Sequence, residues 1–282
     1  MVLGHEGVGV VEELGPDVQL LKKGDRVGWG YATDCCGHCL DCIRGQDIFC
    51  TRRALYGAQN LDQGSFASHG VWREAFLAPV PNGMSDVDAA PMQCAGATVF
   101  TALYDAKATD TVGIMGVGGL GHLAIQFANK IGCRVVVISG SDRKRQQAMK
   151  LGAHRFIAMK GDATGEQEGE TWLLNRLLVT TSAQPDWEKL LPMMAPRSRI
   201  FPLPVSLGNL EIPYMPLIFG GIAIQGSITA TRPVHREMLM FAARHEITPM
   251  TETFPMTEGG IAEAMDRLEK GKVHYRAVLV RE

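Results

Sequence analysis

Long apolar runs, basic blocks and signs of secretion are scarce in this 282-residue sequence, and each scarcity removes a class of function. No run reaches roughly eighteen consecutive apolar residues, so no segment reads as a helix that crosses a bilayer, and the N-terminus lacks the basic and apolar regions of a signal peptide. The 28 Lys and Arg residues are balanced by 30 Asp and Glu. A near-neutral chain without cationic clusters or interleaved aromatics has the electrostatic footprint of neither a nucleic-acid binder nor a protein held on an anionic membrane. A cytoplasmic protein is the expectation. There is also no internal repeat and no low-complexity tract; Gly165–Gly169 reads only as a flexible loop. What is present is ordinary for a globular protein: 46% hydrophobic residues and a mean hydropathy near zero, in a chain long enough for two domains or one large one.

The stretch Val112–Gly121 (VGIMGVGGLG) carries the most information. A short β-branched run ends in Gly116, Gly118 and Gly121 at G-x-G-x-x-G spacing, and an apolar helical pattern follows through Leu120, Leu123, Ala124, Phe127, Ala128 and Ile131. A second strand-like run, Arg134–Ser139, completes a β-α-β unit. The chemistry needs glycine because the turn is cramped, the backbone approaches a pyrophosphate, and the helix packs hard on the strand with its N-terminal N–H groups facing phosphate. This predicts a dinucleotide site built on Gly116, Gly118, Gly119, Leu120 and Gly121. His122 follows at once and reads equally as packing or as a cofactor contact.

Cysteine is concentrated rather than abundant. Five of the seven, Cys35, Cys36, Cys39, Cys42 and Cys50, fall within sixteen residues. Thiols stay reduced in the cytoplasm, so such crowding reads as metal binding before disulfides. Four thiolates at the spacing Cys36-x2-Cys39-x2-Cys42-x7-Cys50 suit one tetrahedral zinc ion with no open position, which makes the site structural. Cys35 is an extra that can stand in for Cys36, although the regular spacing favours Cys36. His38 reads as filling the turn. Cys94, alone in an apolar helical stretch, reads by itself as a core thiol.

Along the chain, residues 1–30 read as short antiparallel strands with turns at Gly15-Pro16-Asp17 and Lys23-Gly24-Asp25, in a sheet expected to be incomplete at one edge. Residues 86–104 read as one buried helix. Beyond the β-α-β unit, strand-like runs at Arg155–Ala158, Leu177–Thr181, Arg199–Leu203 and Ala223–Ser227 alternate with helical ones at Arg143–Leu151, Asp186–Met194 and Ile212–Phe219. That alternation predicts an α/β fold, a doubly wound parallel sheet with crossover helices. The end of the chain reads as helix Val234–His245, strand Glu252–Phe254, helix Ile261–Lys270 and strand Tyr275–Val280.

Taken together, GHEGVGVV, GDRV, CGHCLDCIRGQDIFC, QCAGATVFTAL, GVGGLGHLAIQFA, VVVISGSDRKR and GSITATR resemble, in order, the motifs of the zinc-containing medium-chain alcohol dehydrogenases, in the group of cinnamyl-alcohol-dehydrogenase-like aldehyde reductases. The resemblance implies a GroES-like, β-rich catalytic domain over residues 1–90, incomplete at its N-terminus, a Rossmann domain over 91–229, and a C-terminal return to the catalytic domain over 230–282. It implies that His5 and Cys94 are ligands of a catalytic zinc, with Glu6 the carboxylate beside them, and that Thr98 faces the nicotinamide. The four cluster cysteines become the structural zinc site. Ser227 and Ile228 of GSITATR join the cofactor residues, and homodimers through Rossmann edge strands are implied, with Ile222–Ile228 as the edge. The reaction implied is zinc-assisted hydride transfer between the nicotinamide and a small alcohol or aldehyde.

The sequence departs from that family in two places. The first catalytic-zinc ligand is a cysteine upstream of GHE, and the chain given begins past that point; this leaves a truncated, silent homologue that still binds zinc and cofactor, or an omitted upstream segment, as alternatives to an active reductase. Relatives carry an aspartate near Leu177–Ser182, where this chain has Thr180 and Thr181. Cofactor choice follows from charge. An NAD enzyme places a carboxylate at the end of the second strand, whereas Ser139, Ser141 and Lys144 offer hydroxyls and a cation to a 2′-phosphate, so NADP(H) is expected. Asp142 is the rival ribose acid, but its position suits a helix N-cap better. Arg276 in the last strand reads as a contact to the cofactor phosphates or as a surface ion pair. Trp72 is a candidate for the substrate pocket.

Overall fold

Val112, Ile114 and Val135–Ile138 are buried on both sides of their strands, which is what a parallel sheet covered by helices requires. The computed structural model describes residues 1–160 and 172–281; the loop expected at Gly165–Gly169 lies outside the described residues. Two compact units emerge: Met1–Ala97 with Thr229–Glu282, and Thr98–Ile228. The division falls at Ala97, inside the apolar helical stretch rather than at its start.

In the second unit six strands lie in the order Ala223–Ile224, Met194–Pro202, Leu174–Val179, Thr111–Met115, Arg134–Ser139, Arg155–Ala158, all parallel. Strand order reverses at Thr111–Met115, and ligand crevices of doubly wound sheets form outside the strand ends at that point. Three strands differ in extent from their sequence expectation. The strand expected at Leu177–Thr181 begins at Leu174 and stops at Val179, and the one expected from Arg199 begins at Met194, with a register irregularity between Met194 and Arg199. The outermost has only Ala223–Ile224 in the ladder instead of a run to Ser227, because it has a partner on one side only.

The first unit holds an antiparallel sheet, Gly7–Val10, Arg26–Trp29 and Ala78–Pro79 in that order, a small ladder of Ala32–Asp34 with Ala54–Leu55, and a parallel pair, Thr251–Pro255 with Arg276–Val280, bridged by helix Glu258–Glu269. Gly7–Val10 is an outer strand. It borders a groove of about 1630 Å³ whose lining includes Val8, Trp29, Trp72, Met265 and Val278.

The helix expected over residues 86–104 is interrupted. Ser85 caps Asp86–Pro91 by accepting the Asp88 N–H, five residues Met92–Gly96 form a π-helical turn, and Ala97–Leu103 resumes the α-helix. Such wide turns mark functional sites, and this one carries Cys94. It seats against Gly30, where a Cβ would stand 2.4 Å from the Gln93 carbonyl oxygen, so a larger residue there would push the turn away.

Candidate active site

The cysteine loop is built from turns. Gly37 and Gly45 take φ of +78° and +72°, and the only regular pieces are the short helix Leu40–Ile43 and the 3-10 turn Asp47–Phe49. The ligand atoms of Cys36, Cys39, Cys42 and Cys50 all lie within 4.8 Å of one another, and the Cys36 and Cys42 sulfurs are 3.9 Å apart. Zinc–sulfur bonds of about 2.3 Å in a tetrahedron require sulfurs about 3.8 Å apart, so the donor set fits that ion. Cys35 is buried beside the cluster and outside the set of four. The backbone N–H groups of His38 and Cys39 bring the Cys36 thiol down to about 5, whereas burial pushes the Cys42 thiol up.

His5 and Cys94 come from opposite ends of the first unit's N-terminal segment and meet, with Nε2 and Sγ 3.3 Å apart. Nitrogen and sulfur bound to one zinc ion stand about 3.5 Å apart, so the pair fits as two of its ligands. The rings of Tyr31 and Tyr56 flank the imidazole with centroids at 5.3 and 5.1 Å. Burial holds the His5 pKa below its ordinary value, against the pull of Glu6, and this favours the neutral imidazole that binds a metal. Glu6 stands behind the pair. One carboxylate oxygen accepts the Ala95 N–H of the π turn at 3.1 Å and the other is bound by Arg276. Arg276 thus forms an ion pair, with Glu6, and both partners are about one quarter exposed. Among the described residues, the four-cysteine loop is the only group of three or more clustered metal-ligating side chains.

In the second unit, strand Thr111–Met115 runs into the glycine turn and then helix Gly121–Ile131. Gly116 sits at φ +100°, and a Cβ on Gly121 would stand 2.0 Å from the Gly116 carbonyl oxygen, so turn and helix touch there. A Cβ on Gly118 would meet nothing within 4 Å. A tight first and third glycine with open space at the middle one fits a pyrophosphate laid on the turn. Leu120 takes the N-cap position. His122 is fully buried, and its Nδ1 is 2.8 Å from the Gly118 carbonyl, so it belongs to the turn itself.

Beyond the second strand, Ser139 ends the ladder and Ser141 stands at the N-cap of a 3-10 turn, Asp142–Lys144. Asp142 is therefore one residue past the cap. Its carboxylate is paired with Arg145 at 2.6 Å, and that guanidinium holds it below the usual carboxylate range. The Lys144 ammonium donates to the Val117 carbonyl at 2.5 Å, which ties the Asp142–Lys144 turn to the glycine turn; burial lowers its pKa. Thr98 is buried within the same unit, and the buried Ser227 hydroxyl, next to half-buried Ile228, has no partner among the described residues.

The order and geometry of these parts match known proteins. Residues 1–82 match the alcohol dehydrogenase GroES-like domain and residues 119–244 the zinc-binding dehydrogenase family. Cinnamyl alcohol dehydrogenase 7 of Arabidopsis thaliana is 35% identical over 99% of this chain and 80% of its own length. The chain belongs to the zinc-binding alcohol dehydrogenases. A cinnamyl alcohol dehydrogenase structure from Sorghum bicolor superposes with a TM-score of 0.88 at 32% identity, covering 99% of this chain and 81% of that one. The Helicobacter pylori enzyme, complexed with NADP(H), gives 0.83 at 26%, covering 98% and 80%. As a zinc-binding dehydrogenase the chain is an oxidoreductase of mixed α/β architecture, a Rossmann-like sheet with a GroES-like domain. Among its described residues no helix is long and apolar enough to cross a membrane. Sequence reasoning about this dehydrogenase missed the tyrosines around His5, since neither stands at a spacing that marks it; Thr180 stood out only as a departure from the family's aspartate, and no local pattern placed its hydroxyl at the glycine turn.

Proposed function

We propose that this chain transfers hydride between NADP(H) and a small alcohol or aldehyde, with His5 and Cys94 as ligands of a catalytic zinc ion and the four-cysteine loop as a structural zinc site. The observation that carries the cofactor choice is the charge at the end of the second strand. Asp142 is paired with Arg145, and Lys144 brings a cation and Ser139 and Ser141 bring hydroxyls to the same strand end, the set a 2′-phosphate would meet. Held by His5 and Cys94, the metal supplies a Lewis acid for the carbonyl oxygen, and the nicotinamide supplies the hydride. The chain's own residues prepare this. Neutral His5 presents a lone pair, Arg276 cancels the charge of Glu6 behind it, and the glycine turn offers N–H groups to the pyrophosphate. Thr98 faces the nicotinamide, Ser227 and Ile228 line its site, and Trp72 borders the substrate. A thiolate zinc loop suits the reducing cytoplasm.

The purified chain is expected to consume NADPH with aromatic or aliphatic aldehydes. Lys144→Ala should raise the KM for NADPH by about tenfold and that for NADH by clearly less, because NADPH loses a charge-assisted contact to its 2′-phosphate whereas both cofactors lose only the Lys144 hold on the Val117 carbonyl. No turnover with any aldehyde would overturn the reading as an active reductase. Because among the described residues two donors converge where catalytic zinc sites have three, retained NADPH binding without turnover would support instead a silent homologue with a binding or regulatory role.

The enzyme is read as a homodimer through the outer strand Ala223–Ile224. That strand has one partner, and Tyr214 and Phe219 of the preceding helix are more than four-fifths exposed. Phe219→Glu is expected to shift the protein from dimer to monomer in light scattering; an unchanged mass would exclude this edge as the interface.

A further inference from the structure

We infer that Thr180 is a positioning residue for the cofactor pyrophosphate: its hydroxyl pins the start of the glycine turn so that the turn's N–H groups face the ligand. The inference rests on the dinucleotide reading of that turn.

The argument is one of peptide planes. Because a peptide unit is planar, fixing a carbonyl fixes the N–H of the next residue. The Thr180 hydroxyl donates to the Met115 carbonyl at 2.8 Å and lies 3.3 Å from the Gly116 carbonyl. The Thr180 N–H also reaches Met115, at 3.0 Å, and the Gly116 N–H is held from the other side by the Ile138 carbonyl at 2.8 Å. Further along, Lys144 holds the Val117 carbonyl and the His122 ring meets that of Gly118. Four successive carbonyls, from Met115 to Gly118, are thus drawn back by protein groups, and Thr180 meets the first two. A Cβ on Gly118 would meet nothing within 4 Å, so the side of the turn opposite these carbonyls has room for a ligand.

The same hydroxyl fills the corner between turn and helix. It lies 3.0 Å from where a Cβ would stand on Gly116 and 3.0 Å from where one would stand on Gly121. It therefore backs both glycines that shape the turn. A β-branched side chain has few χ1 options, so the hydroxyl is presented with little freedom.

The test compares two probes on the full chain. NADPH spans the turn, whereas 2′-AMP carries the 2′-phosphate and no pyrophosphate. Thr180→Val keeps the shape and removes the hydroxyl. It is expected to weaken NADPH binding, measured by calorimetry, by about tenfold and to leave 2′-AMP within about twofold; Thr180→Ser should restore NADPH to within about threefold of the parent. Equal NADPH affinity in the valine variant would overturn the inference, and so would a parallel loss of both probes, which would signal general loosening. If the valine variant does not fold, Thr180→Ala is read against Thr180→Ser by the same criteria. A parent chain that binds neither NADPH nor NADH would overturn the functional reading together with this inference, whereas normal binding by both parent and variant removes only the inference.

Discussion

Serine in place of Cys50 is expected to abolish zinc at the cysteine loop and to lower the melting temperature by more than ~10 °C, given apparent binding energies of structural zinc near 10 kcal/mol and a shift of about 2–4 °C per kcal/mol for large domains. The loop has little else to hold it. Its regular structure is one helix of four residues and one 3-10 turn, and the buried cluster beneath consists of Cys35, Cys42, Cys50 and Phe76, so the thiols are themselves most of the core. Loss would spread. Asp47, in the same loop, is buried, pairs with Arg232 and accepts its backbone N–H at the start of helix Arg232–Arg244. Elemental analysis and thermal unfolding check both parts. Cys35→Ser is the contrast, since Cys35 lies outside the set of four ligands; retained zinc in Cys50→Ser with an unchanged melting point would disprove the assignment.

Asp105→Ala is expected to cost about 3 kcal/mol of stability, at the lower end for breaking a buried ion pair because Asp105 itself is more than half exposed. The cost lies with its partner. Arg176 is 2% exposed on the central strand Leu174–Val179, donates to the Ala102 carbonyl at 2.6 Å and to Asp105 at 2.7 Å, and stacks over Phe201. Arg199 binds the other carboxylate oxygen at 2.5 Å. Without the carboxylate, a guanidinium keeps its charge in the sheet with one carbonyl to answer it. The pH dependence has a defined sign. Burial alone would raise the Asp105 pKa, but the hydrogen bonds from Arg199 and Arg176 outweigh it and hold the carboxyl low. Its contribution is therefore present above the unfolded carboxylate pKa of about 4 and is lost as pH falls through the lower folded value. Urea unfolding at neutral pH and at low pH measures both. An Asp105→Ala variant as stable as the parent at neutral pH would refute the account.

Much of the fold was legible because its signals are local. Glycines at fixed spacing, β-branched runs returning every few dozen residues and four cysteines on one loop each state a geometry that few other residues satisfy. Where expectation and structure part, the cause is non-local. The π turn at Met92–Gly96 follows a proline and seats on Gly30, more than sixty residues away, so no window around Cys94 reveals it. Asp142 was expected to cap a helix; Ser141 occupies that place, and Arg145 takes the carboxylate. Arg276 finds Glu6 across 270 residues of chain.

The sequence by itself determined the chemistry on offer: thiols and imidazole for a soft metal, glycines for a pyrophosphate, and hydroxyls with a cation for a phosphate. Those are properties of side chains and of local backbone freedom, which travel with the letters. Tertiary structure alone decided which of them meet. It brought His5 to within 3.3 Å of Cys94, turned Glu6 toward Arg276, buried Arg176 in the sheet and laid the Thr180 hydroxyl on the glycine turn. Each of these depends on strands and turns far apart in the chain packing against one another, and contact at such separation is set by the burial of the whole core rather than by any pattern readable within a few residues.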